Sequence, residues 1–161
     1  MSTTNETILV NGSRMTVAKF LEMDPNDIRT IDAYGCTSLT SLSAPAATRV
    51  YASGCTALTS LSAPAATEVN AYGCTALTSL SAPAATHVDA RGCTSLPGYG
   101  GRDGRDYTFI GLMQPDGLHI YAGCRHFILT QARQHWGPGG KSDRPDCLDL
   151  VNKIARQFGV D

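Results

Sequence analysis

Four cysteines recur at intervals of 19 residues, at Cys36, Cys55, Cys74 and Cys93. The segment 48–66, TRVYASGCTALTSLSAPAA, is followed at 67–85 by TEVNAYGCTALTSLSAPAA. A diverged copy at 29–47 precedes this pair, and a truncated copy at 86–100 follows it. A fixed period of about 20 residues is typical of solenoids, in which each coil buries its apolar side against its neighbours.

Each repeat begins with an alternating segment that predicts a strand. In the second copy, Val50 and Ala52 alternate with the polar or variable residues Arg49, Tyr51 and Ser53. This period of two places the apolar residues on one side and the variable residues on the other. A Gly-Cys turn follows the strand, two leucines re-enter the core, and an Ala-Pro-Ala-Ala segment forms the return.

Written as V-x-A-x-x-C-x-x-L-x-x-L, the repeat resembles the leucine-rich repeat, most closely the short repeats of some bacterial proteins. The resemblance covers residues 29–97 and departs from the family pattern by using Val and Ala where leucine is preferred. It implies about four 19-residue coils in which the buried cysteine bonds the backbone of the turn. A generic β-solenoid is the alternative architecture. Single, evenly spaced cysteines also lack the paired spacing of a zinc site.

The two middle repeats differ at only three of nineteen positions, all of them outward-facing. Other positions that we expect at the surface, such as Thr56 and Ser60, are repeated unchanged. A face that varies while its scaffold is copied indicates a recognition surface, although duplication followed by drift is the alternative. Aligned Thr and Ser rows also occur on ice-binding solenoids, which the short array and appended domain disfavour. The twelve predicted contact residues are Thr30, Asp32, Tyr34, Arg49, Tyr51, Ser53, Glu68, Asn70, Tyr72, His87, Asp89 and Arg91.

Residues 1–28 are predicted to cap the solenoid, because its first apolar layer needs a cover. A short strand, 7–10, meets an Asn-Gly turn, and Thr16 is placed to N-cap a helix. Val17, Phe20 and Leu21 share one face of that helix, which Asp24-Pro25 ends.

The C-terminal part is predicted to form a linker and a small ββαα domain. Residues 98–106 are a Gly-rich linker whose Gly and Arg residues give a weak phosphate-binding signal. Residues 107–161 contain a hairpin (107–113 and 118–122), a short helix near 130–136 and a last helix over about 146–158. The apolar stripe of the last helix is Cys147, Leu150, Val151, Ile154 and Phe158.

The sequence A-G-C-R-x-F at 122–127, followed by a helix with Ala132, His135 and Trp136, resembles a short module of tailed-phage and prophage proteins. The resemblance covers residues 107–158. It implies a phage or prophage context and carries no known activity.

The C-terminal part also concentrates residues that are able to perform chemistry: Cys124, His126, His135, His119 and Cys147. A Cys nucleophile with a His base and a Cys/His metal site are the two functional interpretations. We favour structural roles, because the spacing matches no common ligand pattern and no Asp or Asn is placed by sequence to orient the base. His119 alternates with Leu118 and Ile120, which predicts that it lies on the opposite face of the hairpin from them.

Charge and composition restrict the classes of partner that we expect. Thirteen Lys and Arg against fourteen Asp and Glu give a net charge of -1, which argues against nucleic-acid binding and a polybasic membrane tether. The start, MSTTNETILVNG, predicts no signal peptide, and no apolar run approaches the ~20 residues of a membrane span. We therefore expect a cytoplasmic protein with reduced cysteines.

Taken together, the sequence predicts an α+β fold: a leucine-rich-type solenoid with an N-terminal helical cap and a C-terminal ββαα domain. The predicted function is non-enzymatic protein recognition, in a phage- or prophage-encoded factor that binds and inhibits a host defence protein. The alternatives are a small Cys/His enzyme or metal module and a virion-associated structural protein. We expect no catalytic residue, no metal and no cofactor. We expect a protein partner, and the sequence also allows a homo-oligomer.

Overall fold

The computed structural model of the chain describes residues 6–161, so the first five residues of the predicted cap lie outside the described part. The chain divides into two compact units, Met1–Leu96 and Pro97–Asp161. Within residues 6–161, no helix is both long enough and apolar enough to cross a membrane.

The first unit begins with a hairpin and one short helix. Strands β1 (Thr7–Val10) and β2 (Ser13–Thr16) pair antiparallel, and helix α1 spans Val17–Leu21. Thr16 caps α1, as predicted: its side chain accepts a hydrogen bond from the backbone N–H of Lys19 at 3.2 Å. The prediction for Leu21 is wrong. Because α1 ends at this residue, the side chain turns outward and is 64% exposed.

The repeats form a β-solenoid in which each full coil contributes two three-residue strands. The strands alternate between two parallel sheets: β3 (Thr30–Asp32), β4 (Ser41–Ser43), β5 (Arg49–Tyr51), β6 (Ser60–Ser62), β7 (Glu68–Asn70), β8 (Ser79–Ser81) and β9 (His87–Asp89). We call β3, β5, β7 and β9 the variable sheet and β4, β6 and β8 the serine sheet. Strand β1 extends the variable sheet by pairing antiparallel with β3.

The observed fold is thus α+β, with a β-solenoid of about three turns of 19-residue coils. The fourth coil contributes only β9, so the expected four coils are not all complete. The second half of each coil also differs from the prediction. In each full coil a second strand precedes the Ala-Pro-Ala-Ala segment. Each coil is therefore built on two sheets.

Seven of the repeated apolar positions of the second coil are buried. These positions are Val50, Ala52, Cys55, Leu58, Leu61, Ala63 and Ala66. The repeated threonines have a structural role that the alternation did not predict. The Thr59 hydroxyl donates to the Thr40 carbonyl at 3.0 Å, and the Thr78 hydroxyl donates to the Thr59 carbonyl at 3.2 Å. These contacts tie neighbouring coils together at the surface.

The cysteines that repeat every 19 residues lie above one another in successive coils, and their thiols form hydrogen bonds between adjacent coils. The thiols of Cys55, Cys74 and Cys93 donate to backbone carbonyls of the preceding coil at 3.0–3.1 Å. Contact with the Cys74 thiol, together with burial, raises the pKa of Cys55 and Cys93 above the ordinary thiol range. The glycine before each cysteine has a positive φ, for example +77° at Gly54, a conformation that favours glycine. Each of these three buried thiols donates a hydrogen bond to a carbonyl, so its role is structural.

Glu6 completes the first coil, which has no preceding coil to bond. One carboxylate oxygen accepts from the Thr37 N–H at 2.9 Å, and the other accepts from the Ser38 N–H at 2.9 Å. Both hydroxyls of these residues also donate to it, as does the Cys36 thiol at 3.3 Å. The hydrogen bonds from Ser38 and Thr37 lower the pKa of Glu6 to about 2. Glu6 thus bonds the Cys36 thiol as a backbone carbonyl does in later coils.

The second unit contains a four-stranded antiparallel sheet and two helices. Its elements are β10 (Tyr99–Arg102), β11 (Thr108–Gln114), β12 (Gly117–Ala122), β13 (Arg125–Ile128), α2 (Leu129–Trp136) and α3 (Pro145–Gln157). The predicted hairpin and both helices are present. Two further strands flank the hairpin, one of them inside the segment predicted as a linker, so the unit is ββββαα. Its core includes Phe109, Ile120, Trp136, Val151 and Ile154.

Candidate functional site

The structure places the twelve predicted contact residues on one side of the solenoid, and none of them is buried. They form three columns, which follow the strand register. The columns are Thr30, Arg49, Glu68 and His87; Asp32, Tyr51, Asn70 and Asp89; and Tyr34, Ser53, Tyr72 and Arg91. Strands lie about 4.8 Å apart, so each column presents a side chain at that spacing. Tyr34 and Tyr72 are 79% and 51% exposed, which is unusual for aromatic residues.

The backbone of this surface is fixed even though its side chains differ. The carbonyls of Tyr51 and Asn70 each accept from an alanine N–H of the preceding coil, at 2.8 and 2.7 Å. The carbonyls of Ser53 and Tyr72 accept from a glycine N–H of the preceding coil, at 2.8 and 2.7 Å. These hydrogen bonds are independent of side-chain type, so the scaffold accepts different residues at the surface.

The middle column has a second, structural role. The side chains of Asp32, Asn70 and Asp89 each accept from the N–H two residues later, at 3.0–3.2 Å. This pattern is an Asx turn, in which a short polar side chain stabilises the backbone bend after the strand. Asn70 also accepts from the Ser53 hydroxyl at 2.8 Å. The period-two alternation does not predict this role, although D-x-x-G or N-x-x-G in three of four repeats is a sequence signal for it.

We expect Asn70→Ala to lower the free energy of unfolding by about 1–2 kcal/mol, because two donors lose their acceptor. Urea denaturation followed by circular dichroism measures the change. Glu68→Ala is the matched control, since its partner Arg49 is 3.9 Å away and both side chains are exposed. If both variants lower the free energy of unfolding by the same amount, the Asx turn of Asn70 does not stabilise the fold.

The charged side chains of the surface are partly paired with each other. Arg91 donates to the carboxylate of Asp89 at 2.7 and 3.0 Å, and its guanidinium lies 5.1 Å from the centre of the Tyr72 ring. Burial raises the pKa of the Tyr51 hydroxyl, and the nearby Glu68 carboxylate adds to this. Arg91 is therefore held in place on an aromatic ring while still 56% exposed in its side chain.

The five Cys and His candidates of the C-terminal part do not form one cluster. Cys124 is exposed in the β12–β13 turn, and Cys147 is buried at the start of α3, where burial raises its pKa to about 11. His135 packs between Phe127 and Trp136, with ring centres 4.8 and 5.0 Å away. Burial, followed by the charges of Arg125 and Lys141, lowers the pKa of His135. A shared Cys/His site at these three places is therefore not formed.

The side chains of His119 and His126 are in contact, and Asp116 contacts His119. Nδ1 of His119 lies 2.7 Å from Nε2 of His126, and Nε2 of His119 lies 2.8 Å from a carboxylate oxygen of Asp116. The ring of Tyr121 stacks on His126, with centres 4.4 Å apart. His119 projects from the opposite face to Leu118 and Ile120, as its alternation predicts. The chain Asp116–His119–His126 was not predicted, because it depends on the pairing of β12 with β13.

Asp103, Asp146 and Cys147 bring three potential metal ligands within 4.8 Å of one another. The guanidinium of Arg144 already binds both carboxylates, at 3.3 Å from Asp103 and at hydrogen-bond distance from Asp146. That pairing lowers the pKa of Asp146. A cation would have to displace the arginine, so this group is better described as an ion-pair network.

Comparisons of the chain with protein-family models, with curated proteins and with solved structures found no match.

Proposed function

We propose that this protein recognises another protein through the outward face of the variable sheet and its adjoining turns. One observation carries the proposal: the positions at which the copied repeats differ form a continuous, in-register surface. The surface combines exposed tyrosines with arginine, histidine and carboxylates. Tyrosine and arginine are enriched at the energetic centres of protein interfaces.

The area of these twelve residues limits the size of the interface that they can form without other residues. Four rows at about 4.8 Å, each three residues wide, cover a few hundred Å², whereas a standard interface buries about 800 Å² on each partner. The proposed complex is therefore small, or it includes residues outside the twelve.

In this proposal the coils are short leucine-rich-type repeats, and the phage-like C-terminal segment makes the chain a phage- or prophage-encoded factor. The partner is then a host defence or regulatory protein, which the factor binds and inhibits in the host cytoplasm. The sequence resemblances support this context, and the variable sheet supports the binding role.

The test uses affinity capture from host lysate with quantitative mass spectrometry. We expect the triple variant Tyr51→Ala, Tyr72→Ala, Arg91→Ala to lose about tenfold or more of the captured partner, because it removes the aromatic and arginine contacts. Its melting temperature should change little, since a surface substitution usually shifts stability by less than about 0.5 kcal/mol.

The matched control is Ser60→Ala, Ser62→Ala, Ser79→Ala on the serine sheet, which should capture the partner normally. Equal capture by the wild-type chain and the tyrosine–arginine variant would refute the proposal. Equal loss in the serine variant would show that capture is not specific to the variable sheet.

A second candidate function, catalysis or metal binding in the second unit, is favoured by the Asp116–His119–His126 chain. A carboxylate that fixes one histidine, which in turn contacts another, resembles the way general bases and metal ligands are oriented. This candidate replaces the first if His126→Ala abolishes function in a fully folded protein or if elemental analysis finds stoichiometric zinc.

A further inference from the structure

A cavity of about 160 Å³ lies within the second unit. Its lining includes Arg105, Arg125 and Arg144, together with Tyr107, Trp136 and Ser142. Water occupies about 30 Å³ per molecule in the liquid, so the space corresponds to about five waters. Such a cavity has room only for a small ligand.

The charges around this cavity are unequal. Its lining contains three arginines and one carboxylate, that of Asp103. Arg144 is bonded to Asp103 and Asp146, whereas Arg105 and Arg125 are exposed and have no side-chain acceptor among residues 6–161. The cavity therefore has an excess of positive charge, which two uncommitted guanidinium groups provide.

The loop that carries Arg105 is held in a defined shape. The Asp103 side chain is 3% exposed, and it accepts from the backbone N–H of Arg105 and of Tyr107, each at 2.9 Å. Arg144 donates to the other oxygen of Asp103 at 3.3 Å. A buried carboxylate that bonds its own loop and a neighbouring arginine fixes the backbone that presents Arg105.

The opposite wall is fixed by the β12–β13 turn. Gly123, with φ +61°, begins the turn, and a Cβ at this position would lie 2.9 Å from the Tyr107 ring. Glycine therefore allows the ring to pack directly on the backbone that leads to Arg125. The first turn of α3 completes the lining through Cys147.

We propose that this cavity binds the phosphate group of a small phosphate monoester. Arginine matches phosphate because its planar group donates two parallel hydrogen bonds, and two unpaired arginines suit a dianion. Ser142 adds a hydroxyl, and the rings of Tyr107 and Trp136 form an apolar wall for a short organic group. The site shares no residue with the variable sheet and adds a ligand to the proposed recognition function.

Isothermal titration calorimetry on the full chain tests the site, with inorganic phosphate and glycerol 3-phosphate as probes in about 0.15 M NaCl, where surface charges are screened. We expect saturable binding of both probes by the wild-type chain. The double variant Arg105→Gln, Arg125→Gln should bind at least about tenfold more weakly, because it removes both uncommitted guanidinium groups.

Arg102→Gln is the matched control, since Arg102 pairs with Asp106 in the same loop and does not line the cavity. It should bind within about twofold of the wild type, as expected for an exposed ion pair. The proposal fails if the wild-type chain shows no saturable binding, if the double variant binds as the wild type does, or if Arg102→Gln loses as much affinity. Tighter binding of a phosphoserine peptide than of glycerol 3-phosphate would overturn the small-molecule assignment.

Discussion

Leu58→Ala is expected to lower the free energy of unfolding by about 3–4 kcal/mol, the largest single effect that we predict. Leu58 is fully buried inside the second coil, between the cysteine turn and the serine strand. Removing its side chain deletes contacts and leaves a cavity that the short strands cannot close. Because each coil is stabilised mainly by its neighbours, the defect weakens the coils on both sides. Guanidinium denaturation followed by circular dichroism measures the loss.

Leu21→Ala is the control for this substitution. Leu21 is 64% exposed at the end of α1, so its truncation should change stability by no more than about 0.5 kcal/mol. A cost below about 1 kcal/mol for Leu58→Ala would mean that the coil interior is not closely packed.

Glu6→Gln is expected to cost about 2–3 kcal/mol at neutral pH, because hydrogen bonds to a charged acceptor are stronger than neutral ones. The amide also turns an N–H₂ group toward donors of Thr37 or Ser38. The pKa of Glu6 is lowered from 4.5 to about 2, so the carboxylate contributes stability above pH 4.5 and loses it as the pH falls toward 2. The wild type and Glu6→Gln should therefore converge in stability as the pH is lowered through this window.

Thermal unfolding of both proteins at several pH values between 2 and 7 provides the measurement. Glu22→Gln is the control, because Glu22 is an exposed glutamate of the same unit. A constant difference between the wild type and Glu6→Gln across this range would show that the Glu6 carboxylate does not stabilise the first coil.

The solenoid itself was predictable, but the serine sheet was not. The 19-residue period and the alternation around Val50 define the coil and the variable strand from the sequence alone. The segment Ser60–Ser62 has weak strand propensity and is only three residues long. It is a strand because identical segments pair with it on both sides, which local sequence does not reveal.

The second unit shows why glycine was misleading. Gly98 and Gly100 suggested a linker, yet Gly98 directly precedes β10 and Gly100 is the second residue of that strand. A Cβ at Gly98 would lie 1.8 Å from the Gly111 carbonyl oxygen, and one at Gly100 would lie 2.7 Å from Ile154. These glycines allow close packing, whereas composition suggested a linker.

The candidate sites differ in how far the sequence predicts them. The outward direction of the twelve variable residues follows from the alternation, and the structure agrees with it. The Asx role of Asn70 has a local signal in the sequence, whereas the arginine-lined cavity depends on contacts between distant segments. Arg105 and Arg125, for example, line one cavity although 20 positions separate them in the chain.

The inter-coil hydrogen bonds of the variable sheet also affect how such a chain changes over generations. They involve backbone groups, so duplicating one 19-residue unit would lengthen the array by a row without requiring new core residues. Point substitutions in the first and third columns would then alter what that row offers to solvent. Duplication and substitution thus supply two independent routes to diversification, and only the Asx column restricts the second.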